Sequence, residues 1–412
     1  MRSSTLRTVA WIGVLAAALV LVGVAYARSG DSSDVVTPAS PGPGVPDDPG
    51  DGCGDAASTD PADLSVDRTI ARCGTGEPAA RPLERAATVR VAIPERTEAM
   101  APLLLADARS EFEAENLAVE IVELDLADAY QAMSDGEVDV VVGGIDAPFF
   151  DAVHDGVGAR LVLGGAVARR PSDLASPQTG LWLRADLINE DGEWENVEGT
   201  TVLVTGGLGS AALYPIDNTL GQEELNANSV DFAPATSDAA AARLRAAVVG
   251  GAWLPEPEAT AVADDPALIQ VTTLPGSESI DGTVFSSRLM RQDREVGLAY
   301  ARAVIRTINT HLADGYDDEA VTALAEALDV PESAVTAGPA PLFDWELRAG
   351  TTGRIQDSLV IVGAVGYERP TGESRLVDRT IYEDVVADAV AGGGVAEQAG
   401  SGDGAGGGDD EG

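Results

Sequence analysis

Downstream of residue 87, apolar and polar positions along the chain alternate between two rhythms. The segment TVRVAI (Thr88 to Ile93) alternates with period two, as a half-buried strand does. Pro102 to Glu115 then carries Leu103, Leu104, Ala108 and Phe112 at helical spacing. LAVEIVEL (Leu117 to Leu124) predicts the next strand, and Ala127 to Ser134 a short helix. VDVVVGG (Val138 to Gly144) is almost wholly apolar, which suits a strand covered on both faces. A strand at Ala159 to Gly164 follows. The middle of the chain repeats the rhythm with TGLWLR, TVLVT, a helix from Ser210, a strand near Val230 to Ala233 and a helix over Ser237 to Val249. LIQVTTL (Leu268 to Leu274) and a long helix over Asp293 to Ala313 complete it. This order predicts an α/β protein with mixed, mostly parallel sheets flanked by helices.

The rhythm stops at both ends. Arg2 and Arg7 precede an apolar run from Val9 to Tyr26, and Ala25-Tyr26-Ala27 has the small-x-small form of a cleavage site. Residues 1–27 are therefore expected to be a signal peptide or, at about 18 apolar residues, an uncleaved membrane anchor. Either places the body outside the cytoplasm. A lipoprotein would need a cysteine directly after the run, and the first is Cys53. Residues 28–87 form a Pro/Gly-rich lead, and Ala391 to Gly412 a Gly/Asp tail expected to be disordered. Cys53 and Cys73 are the only cysteines, and in an oxidising compartment they are expected to pair as a disulfide tethering the lead to itself.

Composition then removes whole classes of function. The formal charge is −42, from 68 acidic and 26 basic residues, and no lysine occurs. Such a surface repels nucleic acid and anionic membrane faces. Without lysine there is neither a Walker phosphate loop nor a pyridoxal Schiff base. Two histidines, His154 and His311, are too few for a Cys/His zinc cluster. No cofactor and no metal are expected.

The richest chemistry lies in TVLVTGGLGSAAL (Thr201 to Leu213). Strand, glycine turn and helix start present backbone N–H groups to an anion, with Gly207 and Gly209 allowing close approach and Ser210 adding a hydroxyl. An ordinary capped helix is the plainer alternative. A nucleophile elbow would need G-x-S-x-G and a histidine partner, and a dinucleotide fingerprint its last glycine. The donor cradle is the expectation. Other strand ends add candidates: Arg96 and Thr97 after the first strand, Gly144, Ile145 and Asp146 after VDVVVGG, and Trp253 with Glu256 in WLPEP. The cradle favours an anionic head group, whereas Asp146, Trp253 and Glu256 suit a cationic or aromatic one.

Taken in order, VRVAI, GEVDVVVGGIDAPFFDAVHDGVGARLVLG, EGTTVLVTGGLGSAAL, SDAAAARLRAAVVGGAWLPEPEAT and LVDRTIY resemble the extracytoplasmic solute-binding proteins of ABC importers, in the branch for nitrate, sulfonates, taurine and thiamine-pyrimidine precursors. The resemblance covers roughly Thr88 to Ile381. It implies a two-lobe, type II periplasmic-binding-protein fold with a ligand cleft between lobes. Lobe one would hold 88–168 and 275–390, and lobe two 169–274. Closure would bend Leu163 to Ala168 and Leu274 to Ser279, with Arg169 and Arg170 at a crossing. The resemblance further implies a non-enzymatic, monomeric protein that passes a small solute to a membrane permease. A ligand sensor that kept the fold without transport is the alternative.

Overall fold

The computed structural model describes residues 53, 59–65, 68–168, 178–189, 194, 196–313 and 315–388. The N-terminal apolar run, Arg169, Arg170 and the Gly/Asp tail lie outside them.

Two five-stranded sheets organise the body. The first uses β1 (Ala87–Ile93), β2 (Leu117–Glu123), β3 (Val140–Gly144), β4 (Arg160–Gly164) and, from much later in the chain, β11 (Asp281–Phe285), in the order β2-β1-β3-β11-β4. Between β4 and β11 the chain adds β5 (Ala166–Val167), β6 (Gly180–Arg184), β7 (Thr201–Val204), β8 (Asp231–Pro234), β9 (Gly251–Leu254) and β10 (Leu268–Thr273). Of these, β6 to β10 make the second sheet, in the order β10-β6-β9-β7-β8. Both sheets are mixed. β1 runs parallel to β2 and β3, and β11 antiparallel to β3 and β4. β7 runs parallel to β8 and β9, and β6 antiparallel to β9 and β10. The antiparallel pairs enter because β11 and β10 each come from a chain that is returning.

Helices cover the sheets: α1 (Ala101–Ala108), α2 (Leu126–Ser134), α3 (Ala147–His154), α4 (Leu213–Gln222), α5 (Ser237–Arg245), α6 (Glu258–Val262), α7 (Arg294–His311), α8 (Asp318–Leu328) and α9 (Thr351–Ile361). The single helix expected over 102–115 stops at Ala108 because Ser110 takes a left-handed φ of 58°, and a short turn, Glu111–Ala114, follows. The helix expected from Ser237 to Val249 ends at Arg245, ahead of Ala247 at φ 53°.

The pleat of the second sheet divides its core in two. Leu181, Leu183, Val202, Val204 and Trp253 point into the large core shared with the first sheet. Their neighbours Trp182, Leu203, Ala252 and Leu254 point the other way, onto α5 and α6. This period-two division is what alternating burial in central strands requires.

The two passages between the sheets lie side by side, with the Ala168 amide donating to the Pro275 carbonyl at 3.1 Å. β5 pairs there with a distant segment, β12 (Leu342–Phe343). The N-terminal lead lies against this junction. Arg68 pairs with Asp344 at 2.7 Å, both side chains 2% exposed, and its Nε donates to the Ser277 carbonyl. Arg72 donates to the Phe343 carbonyl at 2.7 Å. Arg348 bonds Thr59 and the Asp60 carbonyl, and the Ala349 amide donates to the Pro61 carbonyl. Cys53 and Cys73 are joined in a disulfide, and both are buried. The lead was expected to be tethered only to itself. Its apolar Ile70 and Ala71 are in fact buried, and its arginines find carboxylate and carbonyl partners on the body.

Candidate functional site

The glycine turn after β7 forms as the sequence suggests, but its details differ. Gly206 and Gly207 take left-handed φ values of 80° and 59°, Gly207–Gly209 makes a single 3-10 turn, and α4 begins only at Leu213. Ser210 is therefore extended and two residues short of the helix N-cap, which is Ala212. Its hydroxyl accepts from the Ala212 amide at 3.3 Å, and its own amide donates to Gly207.

A carboxyl group of the chain itself sits at this turn. The side chain of Asp146, at the N-cap position of α3, makes no capping bond to its own helix, and its Oδ1 accepts from the Ala211 amide at 2.7 Å. The expected cradle of Gly207, Gly209 and Ser210 thus faces a carboxylate from the first sheet. Two glycines make this approach possible. A Cβ on Gly144 would stand 2.4 Å from Asp146 Oδ1, and one on Gly209 would stand 3.2 Å from the Ala147 Cβ. Burial drives the Asp146 carboxyl up to about 7, against the Ala211 hydrogen bond, with the charge of Asp281 adding to the rise. Ile145 is buried beside it, its amide on the Ile280 carbonyl. Asp281, pushed by burial to about 6, accepts from the Ala166 amide and the Ser279 hydroxyl at the junction of the passages.

The turn after β1 makes a second bridge. Glu95 Oε1 accepts from the Ser237 hydroxyl at 2.6 Å and the Thr205 hydroxyl at 3.3 Å, both on the second sheet's side. Arg96, expected to clamp a ligand, turns outward instead, its Nε on Glu123 at 2.9 Å. Three residues from Glu95, Glu98 is buried at the start of a short helical turn, Glu98–Met100. Thr97 is buried at the start of that turn.

Opposite lies the WLPEP segment. Trp253 packs in the large apolar core and presents no open stacking face. Glu256 is buried, with its Oε2 accepting from the Thr260 amide at 3.1 Å. Burial pushes Glu98 up to about 8, with the Glu256 charge adding to it, and pushes Glu256 up to about 7. Glu258 is raised too, by burial and then by Glu95 and Asp238. Tyr316 donates to Glu98 at 3.2 Å. Glu95, Glu98 and Glu258 were missed from sequence, where Arg96 drew attention as the only cation in PERTE. The spacing of Glu95 to Glu98 and Glu256 to Glu258 was the available signal.

A third contact joins α4 to α9. Tyr214 donates to Glu278 at 2.6 Å, and Arg354 and Thr351 bind the same carboxylate. Burial pushes Glu278 up, but these donors outweigh it and hold the carboxyl below its ordinary value. Both histidines are engaged away from the Ser210 turn: His154 stacks on Tyr367 with centroids 4.0 Å apart, and His311 faces Glu111 at 3.6 Å.

No protein-family model matches the sequence, and no curated protein matches it either. Solved structures do match. The alkanesulfonate-binding protein SsuA of Xanthomonas axonopodis pv. citri, bound to MOPS, superposes with a TM-score of 0.54 at 15% identity, over 74% of this chain and 99% of that one. The periplasmic nitrate-binding protein NrtA of Synechocystis PCC 6803 gives 0.52 at 12%, over 76% and 90%. The aliphatic sulphonate-binding protein SsuA of Escherichia coli gives 0.52 at 13%, over 71% and 92%. The chain has the two-lobe fold of these periplasmic binding proteins, the family whose motifs its sequence resembles.

Proposed function

We propose that the chain is the extracytoplasmic solute-binding component of an ABC importer, which holds a small molecule between its two lobes and hands it to a membrane permease. The observation that carries this reading is the double passage. The chain leaves the first sheet after β4, builds an entire second sheet, and returns to insert β11 between β3 and β4 of the first. Such an arrangement leaves two bodies joined by two short crossings, which suits hinge closure. Beside the apolar core that the two sheets share, the faces that meet there carry polar contacts, Asp146 to Ala211 and Glu95 to Ser237. Polar seams of this kind open and close at modest cost, because water replaces the lost hydrogen bonds.

Lobe one in this reading is 88–168 with 275–390, and lobe two is 169–274. The solved relatives bind sulfonate and nitrate, and their periplasmic setting agrees with the export signal read at residues 1–27. No helix among the described residues is long and apolar enough to cross a membrane. Binding in this reading is closure of the lobes around a solute, without covalent chemistry.

The test is a thermal-shift screen of small solutes followed by small-angle scattering with any that bind. A ligand that binds only the native state raises the melting temperature, by an amount that grows with concentration over Kd. The expected outcome is a ligand-dependent rise together with a smaller radius of gyration at saturation. A rise with an unchanged radius overturns the hinge, and no rise with any solute overturns the binding role.

A further inference from the structure

The N-terminal lead meets the body where the two passages between the sheets, Leu163 to Ala168 and Leu274 to Ser279, run side by side. These passages are tied to each other. Asp281 Oδ1 accepts from the Ala166 amide and from the Ser279 hydroxyl, each at 2.8 Å, and the Ser279 hydroxyl accepts from the Gly165 amide at 3.1 Å. A third segment, Leu342 to Arg348, lies along the first passage. It pairs with β5, and beside that pairing the Asp344 amide donates to the Gly165 carbonyl at 3.0 Å and the Gly164 amide to the Trp345 carbonyl at 3.2 Å. Phe343, Asp344 and Trp345 are all buried.

Arg68 of the lead reaches both sides of this junction at once. Its Nη2 pairs with Asp344 Oδ2 at 2.7 Å, and its Nε donates to the carbonyl of Ser277, inside the second passage, at 3.0 Å. Asp344 is fixed from its own segment by Arg348, which also bonds the lead at Thr59 and Asp60. Arg72 donates to the Phe343 carbonyl, and the Cys53–Cys73 disulfide closes the loop of lead that carries both arginines. A guanidinium is a rigid fork that serves two acceptors in one geometry, which an ammonium group does not reproduce. A buried one is costly once a partner leaves. Rotation within the second passage would carry the Ser277 carbonyl away from a fork that Asp344 holds in place.

We propose that the N-terminal lead is a brace on the lobe hinge, with Arg68 as its positioning residue, and that the docked lead favours the closed arrangement of the lobes. The inference rests on the hinge reading above. In this structure the lobes touch through Asp146 with Ala211 and Glu95 with Ser237, so the bond from Arg68 to Ser277 accompanies the closed arrangement. Opening bends the passage that carries Ser277 and weakens that bond. Such coupling is reciprocal: a lead that leaves its seat shifts the lobes toward opening, and opening loosens the lead. A segment outside both sheets thereby sets how readily the cleft opens.

The experiment uses the full chain without added solute. Nitroxide labels on Val248→Cys in lobe two and Ile361→Cys in lobe one, both exposed positions, report the distance between lobes by pulsed electron paramagnetic resonance. Arg68→Lys keeps a charge beside Asp344 but loses the fork that also reaches Ser277. It raises the ratio of open to closed lobes roughly ten-fold, the loss of one hydrogen bond from a charged donor. Cys53→Ser/Cys73→Ser moves the ratio in the same direction. Arg96→Gln, which breaks an exposed ion pair on lobe one, leaves it unchanged. Melting curves verify that each variant is folded. In the reverse direction, Ser237→Ala removes a seam bond far from the lead, and the amides of Arg68 to Cys73 then exchange with deuterium several-fold faster, in step with the open fraction. If Ser237→Ala opens the lobes while Arg68→Lys and the cysteine variant do not, the hinge stands and the brace is wrong. A lower melting temperature in Arg68→Lys at unchanged distance, or lead amides indifferent to Ser237→Ala, also overturns the brace. If no variant alters a single fixed distance, hinge and brace fall together.

Discussion

Asp146 shows how far a single residue could be read. The glycine turn of Thr201 to Leu213 was legible as a turn, because strand, glycines and a following helix are local features. That a side chain 65 positions earlier would bond its Ala211 amide was not legible, since nothing in local pattern records a pairing at that distance. Arg96 failed for a related reason: a strand end shows which residues are near a cleft but not which of two adjacent side chains turns inward. Asp146 also makes a pH prediction. Its folded pKa of about 7 lies above the ordinary carboxylate value, so the native state holds the proton more tightly than the unfolded state does. Stability from this group is complete at about pH 4 and is lost as pH rises through 7. Glu98, Glu256 and Asp281 act in the same direction. Urea unfolding should therefore show stability declining from pH 5 to pH 8. Asp146→Asn, which keeps an acceptor for the Ala211 amide, should flatten part of the decline and gain on the order of 1 kcal/mol at pH 8. Asp146→Ala orphans that amide and should lose about 1–3 kcal/mol at pH 5, where the acid is protonated. An unchanged slope in Asp146→Asn would show that its carboxyl does not titrate in this range.

At the scale of elements the strands were the most legible parts, because VRVAI, VDVVVGG and TVLVT carry their burial in their own spacing. Their helices were less so. The break at Ser110 and the late start of α4 at Leu213 both follow from backbone conformations that residue type alone did not announce. WLPEP misled in one respect: Trp253 alternates into the core while Glu256, beyond the strand, faces the seam. The lead was the least legible element, since its Pro/Gly composition hides two arginines that pack on β12 and on the returning passage. Arg68 tests the importance of that strap. It is buried against Asp344, which keeps Arg348 as a second partner at 3.1 Å. Removing one member of a buried pair usually costs about 3–5 kcal/mol, and the remaining guanidinium should hold the loss near the lower end. Arg68→Met should lower stability by roughly 3 kcal/mol, read from the denaturant midpoint at unchanged slope. A loss under about 0.5 kcal/mol, the range of ordinary surface changes, would mean the lead is not docked in solution.

For the molecule as a whole, the two-lobe path was legible in the order of its segments, while the strap that ties the N-terminal lead across the junction was not. Two whole-molecule forces now act on the same fold and can be separated. One is net charge. With 68 acids against 26 arginines the compact state repels itself, and exposed ion pairs such as Arg96 with Glu123 are too few and too wet to offset it. Salt shortens the screening length from about 30 Å at 0.01 M to about 3 Å at 1 M, so the melting temperature should rise steadily over that range of sodium chloride. The other is the Cys53–Cys73 crosslink, which spans 20 positions. Closing a loop of that size constrains the unfolded chain by about 3 kcal/mol, a contribution that depends on chain entropy and hardly on salt. Melting curves of oxidised and Cys53→Ser/Cys73→Ser protein should therefore form two rising lines against the logarithm of salt, roughly parallel, with the oxidised form above. Lines that converge at high salt would mean the disulfide acts mainly by holding acidic segments together against repulsion. A melting temperature that falls with salt would place the exposed ion pairs, and not the excess negative charge, in control of stability.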